Sequence, residues 1–491
     1  MNTGTPLTTV IAEHYSQFID ETEKISEVIR EYNSYKHSNG LFDYDDLLLY
    51  LLAMTKHEEV GHVLRDQYQF VMVDEYQDTN RLQHNIIMGL SGKAGNVMVV
   101  GDDAQSIYSF RGADVRNIHG VPDAFENCTV IRLEQNYRSS QPILDVCNSI
   151  IRDAPNMFEK ELFSDKPDGE QPMLVSTTNE RQQSLFVTQQ ILELRENGTP
   201  LTEIAVLFRS GFLSFDLEIE LNKANIPFRK FGGMRFAEAA HVKDLLALVR
   251  LTENPRDVIS WYRVLLQLPG VGQKTAQTVL SSMQEVSDPI STPERSWSST
   301  GKGASGIATL MSILFKARSI DNTQERLMTL ADAYKPTLEK IYDDHPKRWK
   351  DIETVVGIGS RYTSIDAFLA DIALDPPTNS LDEIEDDDGE EEFVTLSTIH
   401  SAKGLEWHSV FLIWVNEGRL PSARSTESEE GLEEERRLLY VACTRAKERL
   451  FLTYPAVMLE WQNSDVLGQP SRFLLDIPAA QIPKFYLSEE V

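Results

Sequence analysis

The sequence predicts an α/β protein built on two parallel sheets, the second carrying an all-helical insertion. Three observations lead there. Short apolar runs alternate with helix-period segments from residue 70 to about residue 230, the pattern of a parallel sheet with helices on its faces. From about 236 to 375 the strand-like runs vanish and helical periodicity takes over. After an acidic stretch, the strand–helix alternation returns.

In chain order, residues 8–66 read as helices. Within them "LFDYDDLLLYLLAM" (41–54) is an amphipathic helix behind an Asp43 cap. Strand "FVMVDE" follows from Phe70, then a helix from about Arg81, strand "NVMVVGD" (96–102) and a third strand, "CTVIRLEQN" (128–136). A second α/β unit spans about 137–230: helix "SQPILDVCNSII", strand "MLVST", helix "RQQSLFVTQQILEL" and strand "IAVLFR". The helical stretch is broken by a Ser/Gly/Thr-rich patch at 296–306. The acidic run "DEIEDDDGEEE" (382–392) holds nine acids and reads as a solvated, flexible linker. Strands "FVTLSTIH", "HSVFLIWV" and "RLFLTY", with helix "GLEEERRLLYVACTRAKE", complete the second sheet.

Composition narrows the function classes. With 491 residues, 41% hydrophobic and 25% charged, the chain can form several cores. Its three cysteines, Cys128, Cys147 and Cys443, form no CxxC or Cys/His cluster. Neither a zinc site nor a disulfide framework is suggested, which fits a reducing cytoplasm. "MNTGTPLTTV" lacks the basic and apolar regions of a signal peptide, and apolar runs such as "LLLYLLAM" (47–54) are too short to span a bilayer. The formal charge of −29 argues against nucleic acid when taken alone, since phosphate binding needs a basic surface. Net charge is a sum, however, and a basic groove can lie on an acidic body.

Chemistry concentrates at the predicted strand ends, where open α/β sheets place their ligands. "FVMVDEYQDTN" (70–80) runs from four apolar residues into Asp74 and Glu75. A carboxylate there can hold Mg²⁺ and its neighbour can activate a water. A bare Asp-Glu pair, taken alone, is better read as a strand end facing solvent. Two further strand ends shift that balance. "GDDAQSIYSFRGAD" (101–114) offers Gln105 as an uncharged γ-phosphate sensor and Phe110 with Arg111 as a stacking face and a cation. "LEQNYRSS" (133–140) offers Tyr137 to stack on a base and Arg138 to reach a phosphate.

These segments resemble the UvrD/Rep/PcrA family of superfamily 1 DNA helicases. "VDEYQDTN" looks like that family's Walker B box, "GDDAQSIYSFRGA" like its motif III and "QNYRSS" like motif IV. "TLSTIHSAKGLEW" (395–407) is similar to motif V, "EEERRLLYVACTRAKERL" (433–450) to motif VI, and "PSRFLLDI" (470–477) to a segment after it. The likeness runs from about Phe42 to the C-terminus. It implies two RecA-like domains, the first incomplete, and the cofactors ATP and Mg²⁺. It also implies roles. Asp74 would hold Mg²⁺, Glu75 would activate water and Gln105 would sense the γ-phosphate. Arg138 and Arg445 would be arginine fingers. Tyr137 would stack on adenine and Glu406 would accept from the ribose. Phe110, where the family more often has Trp, would stack on a DNA base beside Arg111. His400 and Lys403 would touch DNA or couple it to the nucleotide. "LPGVGQKTA" (268–276) reads as a helix-hairpin-helix turn whose Gly270 and Gly272 expose backbone N–H groups to a duplex phosphate. A glycine-rich helix connection without a ligand reads the same way.

The resemblance divides the chain into a partial RecA-like domain 1A at 1–135 and a first part of domain 2A at 136–235. A helical subdomain 2B at 236–380, the acidic linker at 381–392 and the rest of 2A at 393–491 follow. It implies a 3′→5′ helicase acting on single-stranded and duplex DNA in repair or replication. One part is missing. GxxxxGK[ST] does not occur; "LSGKAGN" (90–96) and "STGKGASG" (299–306) fail its spacing. In the family that loop lies upstream of everything quoted above. The expectation is therefore a helicase fragment whose own ATP hydrolysis is very weak or absent, with a second polypeptide able to supply the loop. The other reading is a DNA-binding or regulatory protein on a helicase scaffold.

Overall fold

The structure is a computed structural model. It describes residues 5–92, 95–125, 127–152, 154–155, 157–166, 169–231, 239–291, 297, 303–360, 362–373, 392–460 and 464–487. The acidic linker and most of the Ser/Gly/Thr-rich patch lie outside the described residues. Packing divides the chain into two compact units. One comprises 1–169 with 421–444, the other 170–420 with 445–491.

The first unit begins with helices α1 (Leu7–His14), α2 (Thr22–Ser38), α3 (Tyr44–Lys56) and α4 (Glu58–Gln67). Asp43 caps α3 as its sequence demands. Its side chain accepts from Asp46 N, and the Asp46 side chain accepts from Asp43 N, both at 2.9 Å. Lys36 on α2 ties this box down, donating to Asp43 at 2.6 Å and Asp46 at 2.8 Å. The Lys36 ammonium, then the Asp46 N–H, pull the Asp43 carboxyl down to about 2.

Strands β1 (Phe70–Val73) and β2 (Asn96–Val99) pair in parallel, Phe70 opposite Asn96 and Val73 opposite Val99. Between them runs α5 (Arg81–Ser91), capped by Asn80 in a second reciprocal box with Gln83. One face of the sheet packs Val73 and Val99 against Tyr76, in the turn after β1, and against Ile118 and Val121 of the short helices α6 (Arg116–His119) and α7 (Val121–Ala124). The opposite face leaves Phe70, Met72 and Met98 exposed. The run at 128–136, which reads as a third strand, is not one. It makes a single isolated bridge, Gln135 to Phe163, and leaves Val130, Ile131 and Leu133 in water. A strand exists through its ladder partners, and among the described residues β1 and β2 pair only with each other. Helix α8 (Gln141–Ile151) follows, with one side fully buried.

The second unit holds a seven-stranded sheet in which every pairing is parallel. Its strands are β3 (Met173–Thr177), β4 (Ile204–Phe208), β5 (Phe228–Phe231), β6 (Val394–Thr398), β7 (Trp407–Leu412), β8 (Ala446–Pro455) and β11 (Lys484–Tyr486), in the order β11-β3-β8-β7-β4-β6-β5. β4 is buried at every position, which explains its unbroken apolar sequence. Helices α9 (Glu180–Glu196) and α10 (Phe215–Lys223) connect the early strands. A short antiparallel pair, β9 (Val457–Glu460) with β10 (Ser464–Leu467), stands apart from the main sheet.

Between β5 and β6 the described residues are helical. They form α11 (Ala240–Glu253), α12 (Val258–Leu266), α13 (Gln273–Gln284), α14 (Ala304–Arg318), α15 (Thr323–Ile341), α16 (His345–Gly359) and α17 (Ile365–Ala373). They share one core, with Leu245, Val249, Trp261, Leu314 and Leu330 among its buried members. Among the described residues of this stretch there is no strand, as its sequence reads. Helix α18 (Glu429–Cys443) lies between β7 and β8 in the chain but belongs to the first unit. Among the described residues no helix is long and apolar enough to cross a membrane.

Candidate active site

In the first unit the chain turns sharply where β1 ends. Asp74 accepts the Glu75 N–H on Oδ1 at 2.8 Å. Glu75 itself is left-handed, with φ +50°, an uncommon conformation for a side chain without local hydrogen-bonding reach. Both carboxylates are exposed, while Tyr76 and Gln77 turn inward and are buried. Burial pushes the Tyr76 hydroxyl up to about 12, and it pairs with His84 Nδ1 at 2.8 Å.

Gln77 connects this turn to the end of β2. Its Nε2 donates to Glu75 Oε2 at 2.5 Å, and its Oε1 accepts from Asp102 N at 3.0 Å. The approach needs a glycine next door: a Cβ on Gly101 would sit 2.5 Å from Gln77 Oε1. The Asp102 carboxylate in turn accepts from Gln105 Nε2 at 2.9 Å. Glu75 and Gln105, read separately from the sequence, thus hang on one hydrogen-bonded chain through Gln77 and Asp102. The other oxygen of Asp102 pairs with Lys160. The adjacent Asp103 is buried and accepts from His119 Nε2 at 3.0 Å and Phe158 N at 2.8 Å. Burial alone would raise its carboxyl; the His119 ring, the Phe158 N–H and Lys160 outweigh that and hold it low.

Helix α18 grips the same segment. Arg437 Nε donates to Ser106 O at 2.7 Å, and Glu434 accepts from Ser109 N at 3.1 Å and from its hydroxyl. Burial lowers the Arg437 guanidinium, against the nearby carboxylates. Beyond Ser109, Phe110 stands 66% exposed. The Arg111 guanidinium lies 5.2 Å from the Tyr108 ring and 5.5 Å from the Phe110 ring. The Asn136 side chain fixes the next predicted group by accepting from Arg138 N and Ser139 N, both at 2.8 Å. Tyr137 is 76% exposed. Arg138 reaches Thr444 O at 3.5 Å.

The second unit holds the remaining predicted residues in two places. His400, Lys403 and Glu406 lie on the turn between β6 and β7, where Gly404 takes φ +86°. Arg445, 2% exposed, donates from Nη1 to Leu405 O at 3.2 Å, and its carbonyl accepts from Trp407 N at 3.0 Å. Glu406 pairs with Lys447 at 3.5 Å. Lys403, Glu406 and Arg445 are therefore brought to one turn. Gly270 and Gly272 sit elsewhere, on the connection from α12 to α13. Gly270 takes φ +81°, Gly272 is the N-cap of α13, and a Cβ on Gly272 would meet nothing within 4 Å.

Comparison with known proteins bears on this arrangement. Residues 8–126 match the UvrD/REP helicase N-terminal domain, and residues 131–296 and 302–456 match the UvrD-like helicase C-terminal domain. The chain belongs to the UvrD-like helicase family. It is 33% identical over 477 residues to the ATP-dependent DNA helicase PcrA of Bacillus subtilis (strain 168), covering 92% of this chain and 64% of that protein. With DNA helicase II of Escherichia coli (strain K12) the identity is 34% over 461 residues, covering 89% and 63%. With DNA helicase II of Haemophilus influenzae it is 32% over 497 residues, covering 96% and 67%. The chain thus spans about two thirds of the length of these relatives.

Within this UvrD-like chain the sequence reading missed Gln77, Asp102 and Lys160. Gln77 and Asp102 stand inside the segments already singled out. Lys160 lies in a stretch without regular structure, and nothing in its sequence context points to Asp102.

Proposed function

We propose that this chain is the greater part of an ATP-dependent DNA helicase or translocase that moves 3′→5′ along one strand in DNA repair or replication. The observation that carries the reading is the link from Glu75 through Gln77 and Asp102 to Gln105. It holds a water-activating carboxylate and a phosphate-sensing amide in fixed register.

Asp74, an exposed carboxylate at the carboxyl end of a parallel strand, fits one of the one or two protein carboxylates that hold a phosphate-bound Mg²⁺. Bound Mg²⁺·ATP supplies the scissile phosphoanhydride and neutralises its charge. In this mechanism Glu75 takes a proton from the attacking water, and Gln105 donates an N–H to the γ-phosphate. Arg138 and Arg445 stabilise the charge that spreads over it, a role worth about 10³–10⁵ in rate in related phosphoryl transfer. Tyr137 stacks on adenine and Glu406 accepts from the ribose. Phe110 and Arg111 stack on and pair with single-stranded DNA, His400 and Lys403 touch the DNA or couple it to the nucleotide, and the Gly270–Gly272 turn meets duplex phosphate through N–H groups. The free cysteines Cys128, Cys147 and Cys443 are compatible with a reducing cytoplasm.

The sequence has no GxxxxGK[ST], so the phosphate cradle comes from polypeptide outside it, on a longer chain or a second one. The exposed side chains of Phe70, Met72 and Met98 support such a neighbour, since parallel sheets are normally covered on both faces. The test is phosphate release with single-stranded DNA, measured for the chain alone and mixed with a polypeptide carrying that loop. DNA-stimulated hydrolysis that Glu75→Gln abolishes while DNA binding persists supports the motor. DNA binding with no hydrolysis in either mixture establishes the alternative, a regulator on a helicase scaffold.

A further inference from the structure

We propose that Lys160 is a positioning residue for the hydrolytic site: by pinning the Asp102 carboxylate it fixes the orientation of Gln105. The assignment rests on the nucleotide-hydrolysing reading for its purpose, but its geometry stands without it. Lys160 is in the irregular segment 157–166, and its side chain is only 15% exposed. The ammonium pairs with Asp102 Oδ1, lies 3.8 Å from Asp103 Oδ1, and sits 5.3 Å from the ring centre of the buried Tyr440 on α18. A lysine this enclosed is costly unless its charge is matched, and the pair of carboxylates matches it.

The two carboxylates are not equivalent partners. Asp103 is held by His119 and by the Phe158 N–H, so it keeps its place without a lysine. Asp102 is different. Its Oδ1 takes Lys160 and the Ala104 N–H at 3.0 Å, and its Oδ2 takes Gln105 Nε2 at 2.9 Å. With Oδ1 clamped from two sides, the carboxylate plane cannot turn, and Oδ2 is presented to the Gln105 amide. An amide facing a carboxylate must offer its NH₂ end; the flipped amide would set oxygen against oxygen. Lys160 thereby selects one of two amide orientations two bonds further on. Free the carboxylate, and both orientations become accessible. A phosphate oxygen would then meet the amide oxygen, instead of its N–H, for part of the time.

The experiment uses the full chain labelled with ¹⁵N on glutamine side chains. The Gln105 amide pair is identified by its loss in Gln105→Ala. Lys160→Met keeps the length and removes the charge; Lys160→Arg keeps the charge; Asp102→Asn cuts the pair from the other side. The expected result is a moved Gln105 signal with about tenfold faster solvent exchange in Lys160→Met, native behaviour restored by Lys160→Arg, and a moved signal again in Asp102→Asn. A lysine that only stabilises the fold would lower the melting temperature and leave this amide where it was. A Gln105 signal unmoved by Lys160→Met, or moved equally by Lys160→Arg, overturns the proposal. Should Lys160→Met lose its cooperative melt, the contrast between Asp102→Asn and Lys160→Arg decides the matter by the same criterion. The signals are read without nucleotide, so a lack of hydrolysis even with the loop-bearing polypeptide added would refute the motor and leave the Lys160–Asp102–Gln105 geometry standing.

Discussion

Gly101→Ala should break the link between the two strand ends. A methyl group at this position would stand 2.5 Å from Gln77 Oε1, 2.8 Å from Ile118 Cδ1 and 3.3 Å from Tyr76 N. Tyr76 N cannot retreat, because it is bonded to Val100 O at 3.0 Å. Gln77 must therefore move, and with it go the bonds to Asp102 N and Glu75. Overpacking of this kind costs about 1–3 kcal/mol, and each lost hydrogen bond about 1 kcal/mol more. A total of about 3–5 kcal/mol lowers the melting temperature of a unit of 150–250 residues by roughly 6–20 °C. The assay is calorimetry on the native chain, Gly101→Ala, Gln77→Ala and the double variant. Removing the Gln77 amide makes room for the methyl, so the double variant should be less destabilised than the sum by about 1 kcal/mol or more. Additivity within about 0.5 kcal/mol would show that the glycine is not there for Gln77, and the argument for a coupled site would fail.

The two glycines of the α12–α13 connection should behave oppositely. Gly270→Ala, at φ +81°, should lose about 1 kcal/mol of stability. Gly272→Ala, whose Cβ points into open space, should melt like the native chain yet bind duplex DNA more weakly in an anisotropy titration. The Asp43 carboxyl, drawn down to about 2, adds stability above its ordinary value near 4, and that stability is lost as pH falls from about 4 towards 2. Native chain and Asp43→Asn should therefore differ in thermal stability at pH 5 and converge near pH 2. A gap that stays constant across that window would refute the role of the Lys36–Asp43–Asp46 cluster.

Local signals carried much of the fold. The Asp43 cap, the apolar runs of β1, β2 and β4, and, among the described residues, the strandless stretch behind β5 all follow from patterns a few residues long, and the structure has each of them. The run at 128–136 has the same local pattern and makes no strand, because what decides a strand is a ladder neighbour, and among the described residues only the isolated Gln135–Phe163 bridge is offered. The site divides the same way. Glu75 and Gln105 were legible one by one, each from the strand end it follows. Their connection was not, since it depends on a Gln77 amide crossing to a backbone N–H 25 residues away and on Lys160 returning to Asp102 over 58 residues. Side-chain partners at such separations leave no periodicity to read.

The left-handed backbone at Glu75 has a consequence for sequence drift. At φ +50° a glycine would be more comfortable than any longer residue, by about 1 kcal/mol. Selection for thermal robustness alone would push this position towards the smaller residue, so under the proposed mechanism an acid retained here would mark a chain that still needs its carboxylate. Where a glycine or asparagine stands at the equivalent turn, the scaffold gains firmness and the carboxylate is gone.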